Sequence, residues 1–391
     1  MIYDIAKEMN EKLISTRRAL HKIPETAFEE FKTSEFIQNR LTELGIPFYI
    51  AAKTGIVGLI KGAKEGKTIL LRADIDGLPV TENTDLEFKS EREGYMHACG
   101  HDVHTTCLLG AAEILNNMKD ELCGNIKLIF QPAEEGVGGA LPMIEEGIME
   151  NPHVDACVAM HVEPFEKCGN IQIRDGAIMA SPDDFELTVY GKGGHGAYPH
   201  LCVDPILIAS MIVNAYQTIV SRHFDPMTPC VVSVCSFNAG TCTNAIPDTA
   251  FLTGTARSLD KQTREKLAYL LEKIAVDTAQ SMGGSCEFKF KPLYPPTIND
   301  KNITKLICDA ADMIPEINEV VYLENASMAG EDFAYFCENA PSAYFKLGIG
   351  NEDEALNRPL HHSEFMVNEN AIHIGTALMA QTAVNYLKNN K

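Results

Sequence analysis

The chain has 391 residues, enough for two domains each with its own core. A hydrophobic content of 45% against 22% charged residues is that of an ordinary globular protein. The net charge of −21 repels nucleic acid and anionic membranes, so neither is expected as a partner.

Residues 1–8 carry charges where a signal peptide needs an unbroken apolar core. No stretch approaches the run of about 18 apolar residues that spans a bilayer. The 12 cysteines are scattered without paired spacing and without a CxxC motif, many in apolar settings such as those of Cys157 and Cys235. Buried, reduced thiols in a cytoplasmic protein are the expectation.

Residues 4–44 read as two helices. Ile5, Met9, Leu13, Ile14 and Leu20 recur at helical spacing until Pro24, and Phe31, Phe36, Ile37 and Leu41 carry the second helix to Gly45. The polar residues Arg17, Arg18, His21 and Glu25 lie between; they either serve a site or cap and pack the helix, and the second reading is preferred. Strands follow at 54–61 and 68–75, the latter running into Asp74-Ile75-Asp76-Gly77-Leu78-Pro79. A helix is expected over 104–118 and a strand over 125–130, which leads into Gln131-Pro132-Ala133-Glu134-Glu135. A helix near 138–148 and a strand over 156–160 ending at His161 complete this half. Strands alternating with helices predict a two-domain α/β protein whose mixed, mostly parallel sheet has helices on both faces. In such sheets sites collect at the carboxyl ends of the strands. Asp76, Glu134, Glu135 and His161 all lie just past such ends.

Near Ser181-Pro182 the pattern changes. Polar and apolar residues alternate over 185–190, followed by a helix at 203–221, strands at 229–239 and 248–257, a helix at 261–281 and a strand at 284–291. This βαββαβ order is that of an α+β, ferredoxin-like sandwich. Pro292, Pro295 and Pro296 then lead back. The expected organisation is a catalytic domain of residues 1–181 and 293–391, with a lid domain, residues 182–292, inserted in it.

The stretch His97-Ala98-Cys99-Gly100-His101-Asp102-Val103-His104 packs three histidines, a thiol and a carboxylate into one loop's length. In an extended segment Cys99 and His101 project to the same side. Thiolate and imidazole suit zinc and its borderline-soft neighbours. Candidate ligands are Cys99, His101, Glu135, His161 and one of His361 or His362. Five mixed N, O and S donors exceed a closed four-ligand zinc site and suit two ions sharing a bridging group. Adjacent Glu134 and Glu135 cannot easily point at one spot, so one can hold metal while the other faces water as general base. The glycine-rich loop at residues 191–200 carries His195 and His200. It is an ordinary flexible turn, a phosphate cradle without the following Gly-Lys-Ser/Thr, or a mobile loop presenting His195 to a reacting oxygen. Arg257 either pairs with a carboxylate in a bidentate fork or forms a surface salt bridge.

Six motifs carry a resemblance: Leu71-Arg72-Ala73-Asp74-Ile75-Asp76-Gly77-Leu78-Pro79, His97-Ala98-Cys99-Gly100-His101-Asp102, Gln131-Pro132-Ala133-Glu134-Glu135, Gly193-Gly194-His195-Gly196-Ala197, Ala329-Gly330-Glu331-Asp332-Phe333 and His361-His362-Ser363. In this order, over nearly the whole chain, they resemble the M20 metallopeptidase superfamily of aminoacylases, dipeptidases and carboxypeptidases. The thiol-containing motif points to its amidohydrolase branch, which includes hippurate hydrolases and auxin-conjugate hydrolases. The resemblance implies metal ligands Cys99, His101, Glu135, His161 and His362 around two divalent ions (manganese, zinc, cobalt or nickel). It implies Glu134 as general base and Asp76 as a carboxylate that orients a ligand. His195 would serve the oxyanion in a partner subunit's site, within a homodimer formed through the lid domain. Asn244 and Arg257 would bind the substrate's free carboxylate, and Gly330 would line the pocket. The expected activity is cleavage of the amide of small-molecule N-acyl amino acids. A dipeptidase or carboxypeptidase, or an N-acetyldiaminopimelate deacetylase, is the alternative within the family. Outside it stand a cysteine hydrolase using Cys99 and a binding protein without turnover.

Overall fold

The run from Ile69 to Ala73 is buried throughout, as a central parallel strand must be. In the computed structural model, which describes residues 1–390, this run belongs to an eight-stranded sheet. Across it the order is Phe48–Ala51, Gly55–Lys61, Cys123–Gln131, Lys64–Asp74, Ala156–Lys167, Ser342–Gly350, Ile171–Ile173 and Val320–Tyr322. The four middle strands, from Cys123–Gln131 to Ser342–Gly350, run parallel. The first two are antiparallel to their neighbours.

Register decides where side chains gather. Asp74 lies opposite Gln131, and Arg72 opposite both Ile129 and Ala159. The carboxyl ends of two strands and the middle of a third are therefore level, and the chain leaves two of them toward Asp76 and toward Glu134. The third strand departs from expectation. It does not stop at His161 but continues to Lys167, because Val162 and Glu163 go on pairing with Leu347 and Gly348.

The two helices expected over 4–44 are three, Ile2–Glu8, Asn10–His21 and Phe31–Glu43. The helix His101–Asn117 opens three residues earlier than the apolar periodicity suggests, with left-handed Gly100 (φ 81°) as its N-cap. This helix and Ala371–Asn389 are buried on nearly every side, which explains why neither shows a polar face.

The described chain forms two compact units. One comprises Met1–Gly176, Ile298–Asn325 and the residues from Asp332 onward; the other comprises Ala177–Thr297 and Ala326–Glu331. The segment Ala326–Glu331 thus joins the second unit, although it lies more than thirty residues past the expected boundary at 292. In this unit an all-antiparallel sheet has the order Cys230–Ala239, Thr249–Ser258, Ser181–Tyr190, Ser285–Lys291. The helices Pro205–Thr218 and Lys261–Ser281 pack with it around Phe185, Leu187, Ile212, Leu252 and Leu271. Among the described residues no helix is long and apolar enough to cross a membrane.

Candidate active site

Gly100 builds the first corner of the site. Its left-handed backbone turns the chain into the helix, and a Cβ there would stand 2.5 Å from Val162 Cγ2. Only glycine satisfies both demands. Cys99 and His101 therefore converge through a turn into a helix rather than from an extended segment.

Hydrogen bonds fix which ring nitrogen of each histidine faces inward. His161 donates from Nδ1 to the Val162 carbonyl at 2.7 Å, which leaves Nε2 3.4 Å from Cys99 Sγ. His101 donates from Nδ1 to Asp76 Oδ1 at 3.1 Å; its buried Nε2 has no hydrogen-bond partner. The other oxygen of Asp76 accepts the Glu135 N–H at 3.0 Å. Asp76 thus aims one candidate ligand and pins the backbone of another. Glu135 Oε1 lies 4.0 Å from His101 Nε2 and 3.0 Å from His361 Nε2, yet it is buried without a formed hydrogen bond.

Of the groups of three donors that gather here, two contain Cys99: Cys99 with His101 and His161, and Cys99 with Glu135 and His361. Within each group the donor atoms lie within 4.8 Å of one another. Cys99 belongs to both. Burial, reinforced by the charges of Glu135 and Glu134, pushes its thiol pKa well up, so a thiolate there calls for a neighbouring cation. Burial works against charge on His101, yet Asp74, Asp76 and Glu135 hold its pKa up at about 10. An orphaned His101 Nε2, a Glu135 carboxylate beside His361, a shared sulfur and an acidic surround fit a pair of borderline-soft divalent cations. We predict that Cys99→Ser lowers metal content, measured by elemental analysis of purified protein. Unchanged occupancy would remove the thiol from the ligand set.

A third cluster, Asp74, His101 and His104, is of a different kind. His104 accepts the Val162 N–H at Nε2 (2.9 Å) and donates from Nδ1 to Asp74 Oδ1 (2.5 Å), so both its nitrogens are committed. Burial opposes ionisation of Asp74, but His101, His104 and Arg72 hold its carboxyl well below the usual range. Arg72, fully buried, also bonds Asp332 Oδ1 (2.9 Å) and Gln131 Oε1 (2.9 Å). This is a frame: breaking such a buried pair by removing one partner typically costs about 3–5 kcal/mol.

The structure separates the two adjacent histidines. His361, not His362, stands beside Glu135. Its N–H bonds the Ala98 carbonyl at 2.8 Å and its backbone is left-handed (φ 67°), with the half-exposed ring set against Glu135. His362 instead accepts the Glu364 N–H at Nδ1, 3.1 Å away. Two neighbouring histidines give sequence reasoning no means of choosing between them.

The stretch read as capping and packing its helix makes buried contacts. Arg17 Nε lies 2.7 Å from Asp102 Oδ2, and the His21 ring bridges Asp102 (2.8 Å) and Glu82 (3.3 Å), all buried. Helix Asn10–His21 is thereby tied to the first turn of the helix that carries His101.

The second unit holds the remaining candidates. Exposed His195 pairs with Ala245 in a two-residue bridge and accepts the Ala197 N–H at Nδ1. The Gly196 N–H reaches the Asn244 carbonyl at 2.8 Å, so His195 and Asn244 are neighbours. Arg257 lies opposite Pro182 in register, and a Cβ on Gly330 would stand 2.4 Å from Pro182 Cγ.

A glutamate pair beside a buried cluster of metal-type donors, at the carboxyl ends of a parallel sheet, defines a metal-binding hydrolase. Comparison with known proteins makes this specific: the family described as peptidase family M20/M25/M40 matches residues 70–385, and the chain belongs to it, in its amidohydrolase branch. It is an amide-cleaving hydrolase. Thermostable carboxypeptidase 1 of Saccharolobus solfataricus is 42% identical over 97% of this chain and 96% of its own length. N-acetyl-L-cysteine deacetylase of Bacillus subtilis is 38% identical, covering 98% and 90%. Hippurate hydrolase of Campylobacter jejuni is 38% identical, covering 95% and 96%. Among solved structures, a Bacillus subtilis protein described as a dinuclear metal binding peptidase of the M20 family superposes with a TM-score of 0.86 at 35% identity, covering 98% of this chain and 99% of that one. A putative aminohydrolase from methicillin-resistant Staphylococcus aureus gives 0.94 at 34% identity, covering 99% of both chains.

Proposed function

We propose that the protein removes the acyl group from N-acyl L-amino acids, using two divalent cations held by Cys99, His101, Glu135, His161 and His361. The observation that carries this reading is the sharing of Cys99 between two donor groups, with His101 Nε2 buried without a hydrogen-bond partner and Glu135 Oε1 3.0 Å from His361 Nε2. When bound, such ions lower the pKa of water toward neutrality and polarise the amide carbonyl. Glu134 takes the proton of the attacking water and returns it to the amine nitrogen as the carbon–nitrogen bond breaks. Asp76 keeps His101 and the glutamate turn in place throughout. His195, presented to the site of a partner subunit, donates to the developing oxyanion there, a contribution worth about 3–4 kcal/mol in comparable sites. Arg257 and Asn244 hold the substrate's free carboxylate, and Gly330 leaves room for it.

The acyl reading follows the deacetylase and hippurate hydrolase relatives; the carboxypeptidase relative supports a peptide substrate as the second reading. Zinc, manganese, cobalt and nickel all suit the donor set. A homodimer through the second unit is supported by the edge strand Cys230–Ala239, which has no partner on its outer side in the single chain and exposes Phe237. A cytoplasmic location is supported by 12 free cysteines, which a reducing compartment preserves.

The test is a screen of acetyl-, benzoyl- and longer-acyl amino acids beside dipeptides, with each metal restored after chelation. Hydrolysis of acyl amino acids that is lost on chelation and recovered on metal addition is expected. Activity surviving thorough chelation would favour Cys99 as a nucleophile, and faster dipeptide cleavage would favour the peptidase reading.

A further inference from the structure

Residues 131–140 form the turn that presents Glu134 and Glu135, and buried carboxylates grip it at several points. Both ends close on Asp332, through Gln131 Nε2 (2.8 Å) and the Ala140 N–H (3.0 Å). Asp76 holds the Glu135 N–H. The Ala133 N–H, one residue before Glu134, goes to Glu30 Oε1 at 2.9 Å. Close packing leaves the turn little slack: a Cβ on Gly139 would stand 1.9 Å from the Pro132 carbonyl oxygen, and one on Gly55 would stand 2.8 Å from Pro132 Cδ.

Glu30 is the anomalous member of this set. It is 0% exposed, and among the described residues no basic side chain lies within ion-pair distance of it. Arg72, by contrast, neutralises Asp332. Glu30 Oε1 also accepts the Phe28 N–H at 3.0 Å, and Oε2 accepts the Thr54 hydroxyl at 2.6 Å. Phe28 (φ 59°) and Ala133 (φ 56°) are both non-glycine residues held left-handed, a conformation that costs about 1–2 kcal/mol each. One carboxylate oxygen thus holds two strained positions at once. A buried charge without a counter-ion is expensive, and a neutral apolar residue of similar size would avoid that expense.

We propose that Glu30 is a positioning residue for the hydrolysis: by accepting the Ala133 N–H it locks the left-handed bend that aims the Glu134 carboxylate and brings Glu135 to its donor group. The proposal rests on the reading of Glu134 as base and Glu135 as ligand. What matters is a correctly placed acceptor oxygen, which glutamine supplies and aspartate, one methylene shorter, does not.

The experiment compares Glu30→Gln, Glu30→Asp and Glu30→Ala in the full-length protein, with Glu134→Gln in the same series. Apoprotein is titrated with cobalt(II) alone, followed by its visible spectrum. The metal-loaded enzymes are assayed for kcat and KM well below their unfolding temperatures. Glu30→Asp and Glu30→Ala are expected to lose about 10–100-fold in cobalt affinity and in kcat, with KM changed far less, the range typical for groups that orient metal ligands. Glu30→Gln is expected to stay within about threefold of the parent in both. If Glu30→Ala does not fold, Glu30→Asp carries the comparison. Folded Asp or Ala variants that keep affinity and kcat would overturn the proposal, as would a Gln variant that falls as far as Ala. Activity retained by Glu134→Gln would instead remove the base assignment, leaving the cobalt titration to judge Glu30.

Discussion

Replacing Glu134 by glutamine is expected to leave two metal ions bound and to cut turnover at least about 100-fold. The two side chains have the same shape, and Glu134 is outside the proposed ligand set, so metal content measured by elemental analysis should match the parent. What glutamine cannot do is take a proton from water and hand it to the leaving nitrogen. General acid–base groups contribute about 10²–10⁴-fold to rate, and a fall in kcat within that range is expected, with KM little altered. Retained activity would mean that another group takes the proton. Loss of metal along with activity would mean that Glu134 holds an ion.

The second large effect concerns the adjacent histidines. His361→Ala is expected to lower metal affinity by about 100-fold or more, since even groups that only orient a ligand contribute 10–100-fold, and activity should fall with it. His362→Ala should stay within about threefold of the parent, because its ring takes only the Glu364 N–H. The reverse pattern would return the ligand role to His362.

Glu30 gives a further prediction, on stability. Burial, with repulsion from Asp76, lifts its pKa to about 7, against hydrogen bonds from Thr54 and Ala133 that pull it down. A carboxyl whose folded pKa lies above its unfolded value favours the fold most when protonated. The penalty therefore grows as pH rises from about 4.5 to 7 and is constant above that. At about 1.4 kcal/mol per unit it amounts to as much as about 3 kcal/mol. Urea unfolding should accordingly show Glu30→Gln gaining on the parent across this window, and a constant difference between pH 4.5 and 8 would show that the carboxyl stays ionised.

Much of this protein can be read from its residues. The βαββαβ order is visible because the strands of the second unit alternate and the helix Lys261–Ser281 is amphipathic, and the observed sheet order is the one that pattern implies. Cys99, His101, Glu135 and His161 are found together because metal-type donors at strand ends are rare in combination. The elements missed are those whose signal is not periodic. Strands Ile171–Ile173 and Val320–Tyr322 are three residues long, too short to alternate. Arg72 could have been flagged, since a cation inside an apolar strand requires a buried partner, but the partner, Asp332, lies 260 positions away. Glu30 gave no warning at all: next to Glu29 it looks like surface charge, and only the fold shows that one glutamate is exposed while its neighbour is sealed.

The grip of Asp332 on Gln131 and Ala140 has an outcome for biosynthesis. As the polypeptide leaves the ribosome, the glutamate turn emerges some two hundred residues before the side chain that closes it, and the whole inserted unit is made in between. Until then Arg72 sits in a nascent sheet with only part of its anionic company, so the interval is one in which a chaperone would find this half of the molecule unfinished. A translation product that stops short of residue 332 lacks the carboxylate that closes the glutamate turn.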